Sequence, residues 1–440
     1  MVVLINAKTE WFGNARDIRQ WPINLNLGLL GLGSELIKRG ISIIIRDQLS
    51  DPIKDNEIVS NNIFIISVDF NSVKSAIETT KKIIHFNKTA KVIWGSYGRG
   101  FFGKFTNSFP GFALDVTGVF AECYNTNDTI NLVESIIKNK YIEYLNSIDN
   151  KKVGISFWKN NKKILGNTKL EKTIYYPDYT LVDMEKYIYR TALEISDDKN
   201  KLKKVVPIIT GDGCPFRCTF CINSSQNVPY RPAKIEDIIN AIDYLNSKYN
   251  LDLIWFQDDN LFANKTLYEA IFQHIIKKNY KFKWAAQGSL IYLKNIPNET
   301  LKTIMKNCYW LGVGFENYNK EVRNKLGKVG ITNDDLWNLV RLAKKYNFEI
   351  AISFIVGTPE ETIKDIINTA KFIFDIKRFY SKFSITYQLF SHILIQKCIM
   401  KSRKNIQTLN YPQTFSNMSN KIRIRAKKSI CRGFLKLKKW

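Results

Sequence analysis

The alternation of short apolar runs with amphipathic helical patterns is the feature that most constrains the fold. In the first 140 residues, runs such as VVLINA (2–7) and NIFIISVDF (62–70) have the apolar, β-branched character of buried strands. Segments with apolar residues at helical spacing, including 27–40 and 72–87, separate such runs. Parallel strands require such a crossover helix. We therefore predict an α/β fold that begins with a Rossmann-like parallel sheet, whose ligands bind at the carboxyl ends of the strands.

A second alternation fills residues 204–390, where six strand-like runs are each separated by a helical pattern. Six units are fewer than the eight of a closed barrel, so the prediction is a partial (β/α)6 TIM-like barrel. Residues 141–203 are polar and weakly periodic, and we interpret them as a connector. The six runs are KVVPIIT (204–210), LDLIWFQ (251–257), KFKWAAQ (281–287), WLGVGFE (310–316), FEIAISFIV (348–356) and KFSITYQLF (382–390).

Composition favours a soluble, cytoplasmic protein. Hydrophobic residues make up 45% of the chain, which is enough for two cores, and the start has no secretory signal pattern. No apolar run reaches the length of about 18 residues that a membrane span needs.

The charge is strongly positive, because 66 Lys and Arg face 40 Asp and Glu, which gives +26. After Asp375 there are 16 basic residues and no acidic one. We therefore predict that residues 391–440 form a basic C-terminal tail, which would serve an acidic partner or represent an altered terminus. A nucleic-acid partner is possible but not favoured, since a Lys-, Asn- and Ile-rich composition also explains the charge.

Three of the seven cysteines lie together in CPFRCTFC, directly after a predicted strand. These residues are Cys214, Cys218 and Cys221. Thiolates are soft ligands suited to iron–sulfur clusters, and three ligands leave one iron of a four-iron cluster open. The alternative is a three-cysteine zinc site that takes a distant fourth ligand.

The motif resembles the signature of radical S-adenosylmethionine (SAM) enzymes, Cys-X3-Cys-X-aromatic-Cys after the first strand of a six-unit barrel. The resemblance implies that Cys214, Cys218 and Cys221 bind a 4Fe-4S cluster and that Phe220 lies beside the SAM adenine. It also implies that SAM chelates the open iron, and that one electron releases a 5′-deoxyadenosyl radical. A low-potential donor such as flavodoxin or ferredoxin would supply that electron.

Later strand ends extend the resemblance. Asp258 and Asp259 follow the second strand of the barrel, where the family places groups near the SAM amino end; alternatively, Asp259 or Asn260 caps the next helix. Glu316 and Asn317 end a stretch similar to the family's Gly-Val-Glu-Ser, which implies contacts to the SAM ribose and carboxylate. Gly357 opens Gly-Thr-Pro-Glu-Glu-Thr, close to the family's Gly-X-Pro-Gly-Glu-Thr; the alternative is a turn with a helix N-cap.

The first domain, 1–140, resembles the cobalamin-binding domain of cobalamin-dependent radical SAM enzymes. Ser67-Val68-Asp69 and Gly95-Ser96 are similar to the elements that line the cobalamin nucleotide tail. No histidine precedes His85, so cobalamin would bind without a lower histidine ligand. The alternative is a Rossmann-like domain that holds no cofactor.

The leading hypothesis is therefore a cobalamin- and SAM-dependent methyltransferase that acts on an unactivated carbon of a small molecule or peptide. A second hypothesis is a radical SAM enzyme that modifies tRNA or protein, like the methylthiotransferases. Those enzymes carry three further cysteines in the first domain, where this chain has Cys123 alone. A third is a basic nucleic-acid-binding protein with an inactive barrel. The sequence identifies no catalytic side chain beyond the cofactor contacts.

Overall fold

The computed structural model describes residues 1–8, 25–68, 72–95, 111–167, 174–188, 202–225, 229–359 and 361–389. All of the described residues belong to one compact unit, Met1–Lys397, and residues 398–440 lie outside the described residues. The predicted basic tail, 391–440, therefore lies outside the described residues as well.

The first sheet has seven strands in the order β2-β1-β3-β4-β5-β6-β7, and β1 to β5 are parallel. Its helices cover both faces. Leu32 of α1 and Val133 of α4 pack on one face, and Ile58 of α2 and Ile83 of α3 pack on the other. The strands are β1 (Val2–Asn6), β2 (Ile43–Asp47), β3 (Ile63–Ser67), β4 (Lys91–Gly95), β5 (Val119–Cys123), β6 (Ile155–Lys159) and β7 (Lys162–Ile164), and the helices are α1 (Leu27–Lys38), α2 (Asp55–Ser60), α3 (Val73–Phe86), α4 (Thr126–Ile137) and α5 (Tyr141–Ser147).

The first sheet extends past the predicted boundary at residue 140. Strands β6 and β7 form an antiparallel hairpin that adds to β5, although the sequence prediction places both in the connector. Asn160 and Asn161 turn the hairpin with φ of 48° and 59°, the left-handed values that a two-residue hairpin turn requires. The two strands have only five and three residues, which is too short for a strong periodic signal.

The second sheet contains the six predicted strands of the barrel, all parallel, in the order β15-β14-β13-β12-β11-β8. This confirms the predicted fold class of a Rossmann-like domain followed by a partial barrel. A short pair, β9 (Gly211–Asp212) with β10 (Arg231–Pro232), stands beside it. The six strands are β8 (Val205–Ile208), β11 (Leu253–Phe256), β12 (Lys283–Gly288), β13 (Cys308–Glu316), β14 (Glu349–Val356) and β15 (Phe383–Leu389), and the helices are α6 (Ile222–Ser225), α7 (Ile235–Tyr249), α8 (Lys265–Lys277), α9 (Leu290–Leu293), α10 (Asn298–Met305), α11 (Lys320–Lys325), α12 (Asn333–Tyr346) and α13 (Ile363–Phe379).

Residues 174–188 join the two sheets into one packed unit. The Asp178 amide donates to Ser34 Oγ of α1 at 2.8 Å, and the Tyr179 hydroxyl donates to the Pro207 carbonyl of β8 at 3.0 Å. Leu27 belongs to the same hydrophobic core as the inner residues of the barrel. Among the helices of the described ranges, none combines the length and the apolar composition needed to cross a bilayer.

Glu122 of β5 is a fully buried carboxyl group in the first sheet. The Ala113 amide donates to its Oε2 at 3.3 Å, while Oε1 has no hydrogen-bond partner among the described residues. Burial raises the pKa of Glu122 from 4.5 to about 8, although the backbone of Ala113 and Gly111 and the Tyr124 hydroxyl oppose this rise. The group is therefore protonated in the folded chain at neutral pH.

We expect the stability of the first sheet to fall as pH rises from 4.5 towards 8, because only the unfolded chain then releases the Glu122 proton. The slope in this window is on the order of 1 kcal/mol per pH unit. Glu122→Gln should remove this slope, and Glu78→Gln, at an exposed position of α3, should keep it. Thermal unfolding between pH 5 and 8 measures the difference. An equal pH dependence in wild type and Glu122→Gln would contradict the assignment.

Candidate functional site

The three clustered cysteines lie on one loop that follows β8 at the carboxyl edge of the second sheet. Gly213, with φ of 79°, turns the chain directly before Cys214, and the Cys221 amide donates to the Cys218 carbonyl at 3.1 Å. All three side chains are free thiols, and the charges of Cys218 and Cys221 would each act on Cys214. The three predicted ligand residues thus share one loop and lie close enough for their charges to interact.

Burial lowers the acidity of two of the three thiols. It raises the pKa of Cys214 to about 11, and it also raises the pKa of Cys218, where the positive charge of Lys328 opposes the rise. Binding of a metal to Cys214 and Cys218 would therefore displace their protons. Among the described residues, no three His, Cys, Asp or Glu side chains are positioned to hold one metal ion.

The segment after α11 packs against the cysteine loop. The Thr219 amide donates to the Leu326 carbonyl at 3.1 Å, and Cys218 Sγ lies 3.9 Å from the Gly327 carbonyl oxygen. Gly327 has φ of 86°, and a Cβ there would lie 2.9 Å from the Cys218 Cα. A glycine is therefore required at this position both for the backbone conformation and for the close approach of the loop.

Lys328 is a residue of this site that the sequence analysis missed. Its Nζ lies 3.3 Å from Glu316 Oε1, 3.4 Å from the Gly314 carbonyl oxygen and 6.0 Å from the centre of the Phe220 ring. The side chains of Lys328 and Glu316 are 14% and 4% exposed, so the ion pair is largely shielded from water. In a chain with this many lysines, no local pattern distinguishes Lys328.

Glu316 ends β13 in a strained conformation, with φ of 73°. Burial raises the pKa of its carboxyl group, and Lys328 opposes the rise. A Cβ on Gly314 would collide with the Glu316 carboxylate and lie 2.7 Å from Lys328 Nζ. The glycine of the Gly-Val-Gly-Phe-Glu stretch therefore makes room for the ion pair.

The two acidic residues after β11 have different surroundings. Asp258 is buried, and its Oδ1 accepts hydrogen bonds from Thr210 Oγ1 at 2.8 Å and from the Gly211 amide at 2.6 Å. The hydrogen bonds of Asp258 thus link the start of the cysteine loop to the end of β11. Asp259 is exposed, and its Oδ2 accepts from Asn223 Nδ2 at 2.8 Å, just beyond the third cysteine.

Asn317 and Gly357 meet at the Glu361 carboxylate, although they follow different strands. Asn317 Nδ2 donates to Oε1 at 2.6 Å, and the Gly357 amide donates to Oε2 at 2.5 Å. Gly357 has φ of 83°, which favours glycine. The alternative of a helix N-cap also applies here, since Thr362 caps α13 in a capping box with Asp365.

Phe220 packs in a small apolar cluster at the carboxyl ends of β13 and β14. Its neighbours there are Val322, Leu326 and Ile355. The ring is half-buried rather than enclosed, which leaves part of it open for a planar ligand.

In the first sheet, Ser67 and Gly95 lie side by side, because they are register partners at the ends of β3 and β4. Ser67 Oγ accepts a hydrogen bond from Asn26 Nδ2 at 2.7 Å, and Asn26 also caps α1 by accepting from the Leu29 amide. Asn26 is a second residue that the sequence analysis missed. Ser96 lies outside the described residues, as does Asp69.

Residues 208–373 match the model of the Radical SAM superfamily. Among curated proteins, the chain is 29% identical over 212 residues to an uncharacterized methyltransferase of Pyrococcus horikoshii (48% of this chain, 43% of the relative). It is 26% identical over 290 residues to the ribosomal protein uS12 methylthiotransferase RimO of Clostridioides difficile (60% and 61%). The matched stretches thus span about half the length of these relatives.

Among solved structures, the fold is similar to the radical SAM methyltransferase TsrM from Kitasatospora setae with cobalamin and a 4Fe-4S cluster bound. The TM-score is 0.66 at 14% identity, with 88% of this chain and 74% of that chain covered. It is also similar to OxsB, a cobalamin-dependent SAM radical enzyme, with a TM-score of 0.62 at 17% identity (84% and 51%).

The class of protein that the chain resembles comes first: the stretch that matches the Radical SAM superfamily, residues 208–373, includes the three cysteines, Glu316 and Gly357. The arrangement of both domains is, more particularly, the fold of TsrM and OxsB. The resemblance to cobalamin-dependent radical SAM enzymes that the sequence indicated is confirmed in the fold, and the matched stretch agrees with it.

We expect Asp258→Ala to lower the free energy of unfolding by about 3 kcal/mol, because it leaves buried donors of Thr210 and Gly211 without their acceptor. Asp259→Ala is the matched control, since that carboxylate is exposed and should cost less than about 1 kcal/mol. Urea unfolding of both variants measures this difference. Equal losses would contradict the role of Asp258 as the anchor of the cysteine loop.

Proposed function

We propose that this chain is a radical SAM enzyme that reductively cleaves SAM at a 4Fe-4S cluster bound by Cys214, Cys218 and Cys221. The observation that carries the proposal is the placement of three free thiols on one loop at the carboxyl edge of the barrel, inside the matched region. Parallel sheets bind ligands at this edge. A low-potential donor of the flavodoxin or ferredoxin type would supply the electron.

The surroundings of the thiols fit such a cluster. The three thiolates would each bind a different iron, and the fourth iron would remain open to SAM. Asp258 and Gly327 hold the loop in place from two sides. When bound, the cluster supplies the electron that breaks the sulfonium bond of SAM.

For SAM itself, we assign roles to side chains around the loop. The open part of the Phe220 ring suits the adenine, and the exposed Asp259 carboxylate suits the SAM ammonium group. Glu316, held by Lys328, and Asn317, held by Glu361, would face the ribose and the carboxylate end. Gly357 would let the backbone approach the nucleoside closely. Asp258 is a positioning residue, because its carboxylate contacts the loop.

We further propose that the reaction is a cobalamin-dependent methyl transfer to an unactivated carbon of a small-molecule or peptide substrate. Ser67, Gly95 and Asn26 lie at the carboxyl edge of the first sheet, where the nucleotide tail of cobalamin would bind. Methylated cobalamin, when bound, would supply the methyl group. The support is the likeness in fold to TsrM, whose structure has been solved with tryptophan as substrate, and to OxsB.

This proposal divides the chain by function. The cobalamin domain would comprise 1–140 together with the hairpin of β6 and β7, and the radical SAM core would comprise 204–390. The rest of the predicted connector, 141–203, includes residues 174–188, which pack between α1 and the barrel.

A second candidate function is methylthiotransferase-like modification of RNA or protein. The matches to RimO favour it, since one of them, in Clostridium botulinum, extends over 74% of this chain at 23% identity. Against it stands the cysteine content of the first domain, which is Cys123 alone. That thiol is buried in the sheet, and its pKa is raised by burial.

The cluster is tested by iron and sulfide content. We expect the full chain, reconstituted without oxygen, to bind about four irons and four sulfides. Cys218→Ala should lose most of both, because it removes one ligand. Cys308→Ala is the matched control, since this buried cysteine of β13 lies outside the loop, and it should retain them. Wild-type protein without iron and sulfide, or equal contents in both variants, would contradict the proposal.

Cobalamin is tested by retention of hydroxocobalamin on the full chain after gel filtration. We expect retention by wild type and also by Cys218→Ala, because the first sheet does not depend on the cysteine loop. Loss of cobalamin from both proteins, with the cluster intact in wild type, would overturn the cobalamin-dependent reaction and leave the radical SAM activity standing.

A further inference from the structure

The largely buried lysine beside the cysteine loop has no assigned function in the sequence motifs. We propose that Lys328 is a positioning residue whose ammonium group sets how easily the cluster is reduced, because it stabilises the negative charge that the reduced cluster gains. This inference rests on the proposed function, since it requires a cluster on Cys214, Cys218 and Cys221.

The fold holds Lys328 in a single place. Its Nζ contacts the Glu316 carboxylate at 3.3 Å and the Gly314 carbonyl at 3.4 Å. The backbone just before Lys328 lies against the loop, because the Leu326 carbonyl accepts from the Thr219 amide at 3.1 Å and a Cβ on Gly327 would lie 2.9 Å from the Cys218 Cα. Contacts with β13 therefore hold the ammonium group, and contacts with the cysteine loop hold the backbone next to it.

Lys328 lies close to the cysteine loop. The carbonyl oxygen of Gly327, the residue before it, is 3.9 Å from Cys218 Sγ. Lys328 itself is largely shielded from water, so its charge reaches the thiols with little screening. Its Nζ also lies over the ring of Phe220, the residue just before the third cysteine. Arg217, on the same loop, is exposed and donates to the Cys214 carbonyl, so water screens its charge.

Reduction adds one electron, from the external donor, to a cluster that three thiolates already make anionic. No bond forms or breaks in this step. A cation shielded from water stabilises the added charge strongly, because the low dielectric of the interior screens it little. Net charge is one of the factors that set the potential of iron–sulfur clusters.

Glu316 provides a second test of the inference, because its charge is opposite to that of Lys328. Its carboxylate pairs with Lys328 Nζ at 3.3 Å and carries the opposite charge, so it opposes the effect of Lys328 on the cluster. Removing the lysine charge should therefore make the cluster harder to reduce, while removing the carboxylate charge should make it easier. A loss of packing alone would not produce opposite shifts.

The test is a redox titration of the reconstituted full chain without SAM, followed by electron paramagnetic resonance of the reduced cluster. We expect Lys328→Met to lower the ratio of reduced to oxidised cluster about tenfold at a fixed potential, a shift of about 59 mV to more negative values for one electron. Lys328→Arg should stay close to wild type, because it retains the charge. Glu316→Gln should shift the midpoint to more positive values.

The matched control is Lys294→Met. Lys294 has partners of the same kind, the Asp335 carboxylate at 3.2 Å and the Gly330 carbonyl at 2.5 Å, but its side chain is 29% exposed. The midpoint potential of the cluster in Lys294→Met should equal that of wild type. If Lys328→Met assembles no cluster, the inference is tested by the midpoint potential of Glu316→Gln, which should shift to more positive values. Unchanged midpoints, or shifts of the same sign in both variants, overturn the inference. Absence of a cluster in wild type overturns the proposed function itself.

Discussion

The hydrogen bonds of the Asp258 carboxylate are the interaction on which the site depends most. The cysteine loop follows β8, which is an edge strand among the described residues and pairs there with β11. Asp258, at the end of β11, accepts from Thr210 and Gly211 at the start of the loop. Buried donors of this kind are costly to leave without acceptors, so these bonds hold the start of the loop beside β11.

Parallel topology then assembles the rest of the site. The chain reaches the carboxyl edge once after each strand, and each return contributes one group: the cysteines after β8, the acidic pair after β11, Glu316 and Asn317 after β13, and Gly357 after β14. The groups are far apart in sequence but lie at one edge, as expected for an open α/β sheet. Lys328 lies with these groups because the segment that follows α11 packs against the cysteine loop.

The parallel strands of both sheets and the cysteine triplet could be predicted from sequence, since buried parallel strands appear as continuous apolar runs and the three cysteines lie within one loop. The roles of individual polar groups could not. Asp258 fits the family position near SAM, yet its carboxylate is directed to the neighbouring strand. The roles of Lys328 and Asn26 depend on partners in other elements, Glu316 and Ser67 respectively, which no local pattern indicates. The hairpin of β6 and β7 had a turn signal at Asn160 and Asn161, but its strands were too short to support it.

Three cysteine ligands would leave one iron of a four-iron cluster open for SAM. Electron paramagnetic resonance of the dithionite-reduced, reconstituted full chain measures this, with spectra recorded before and after SAM is added. We expect a four-iron signal whose g-values change when SAM coordinates the open iron. A signal that stays identical at saturating SAM would contradict it.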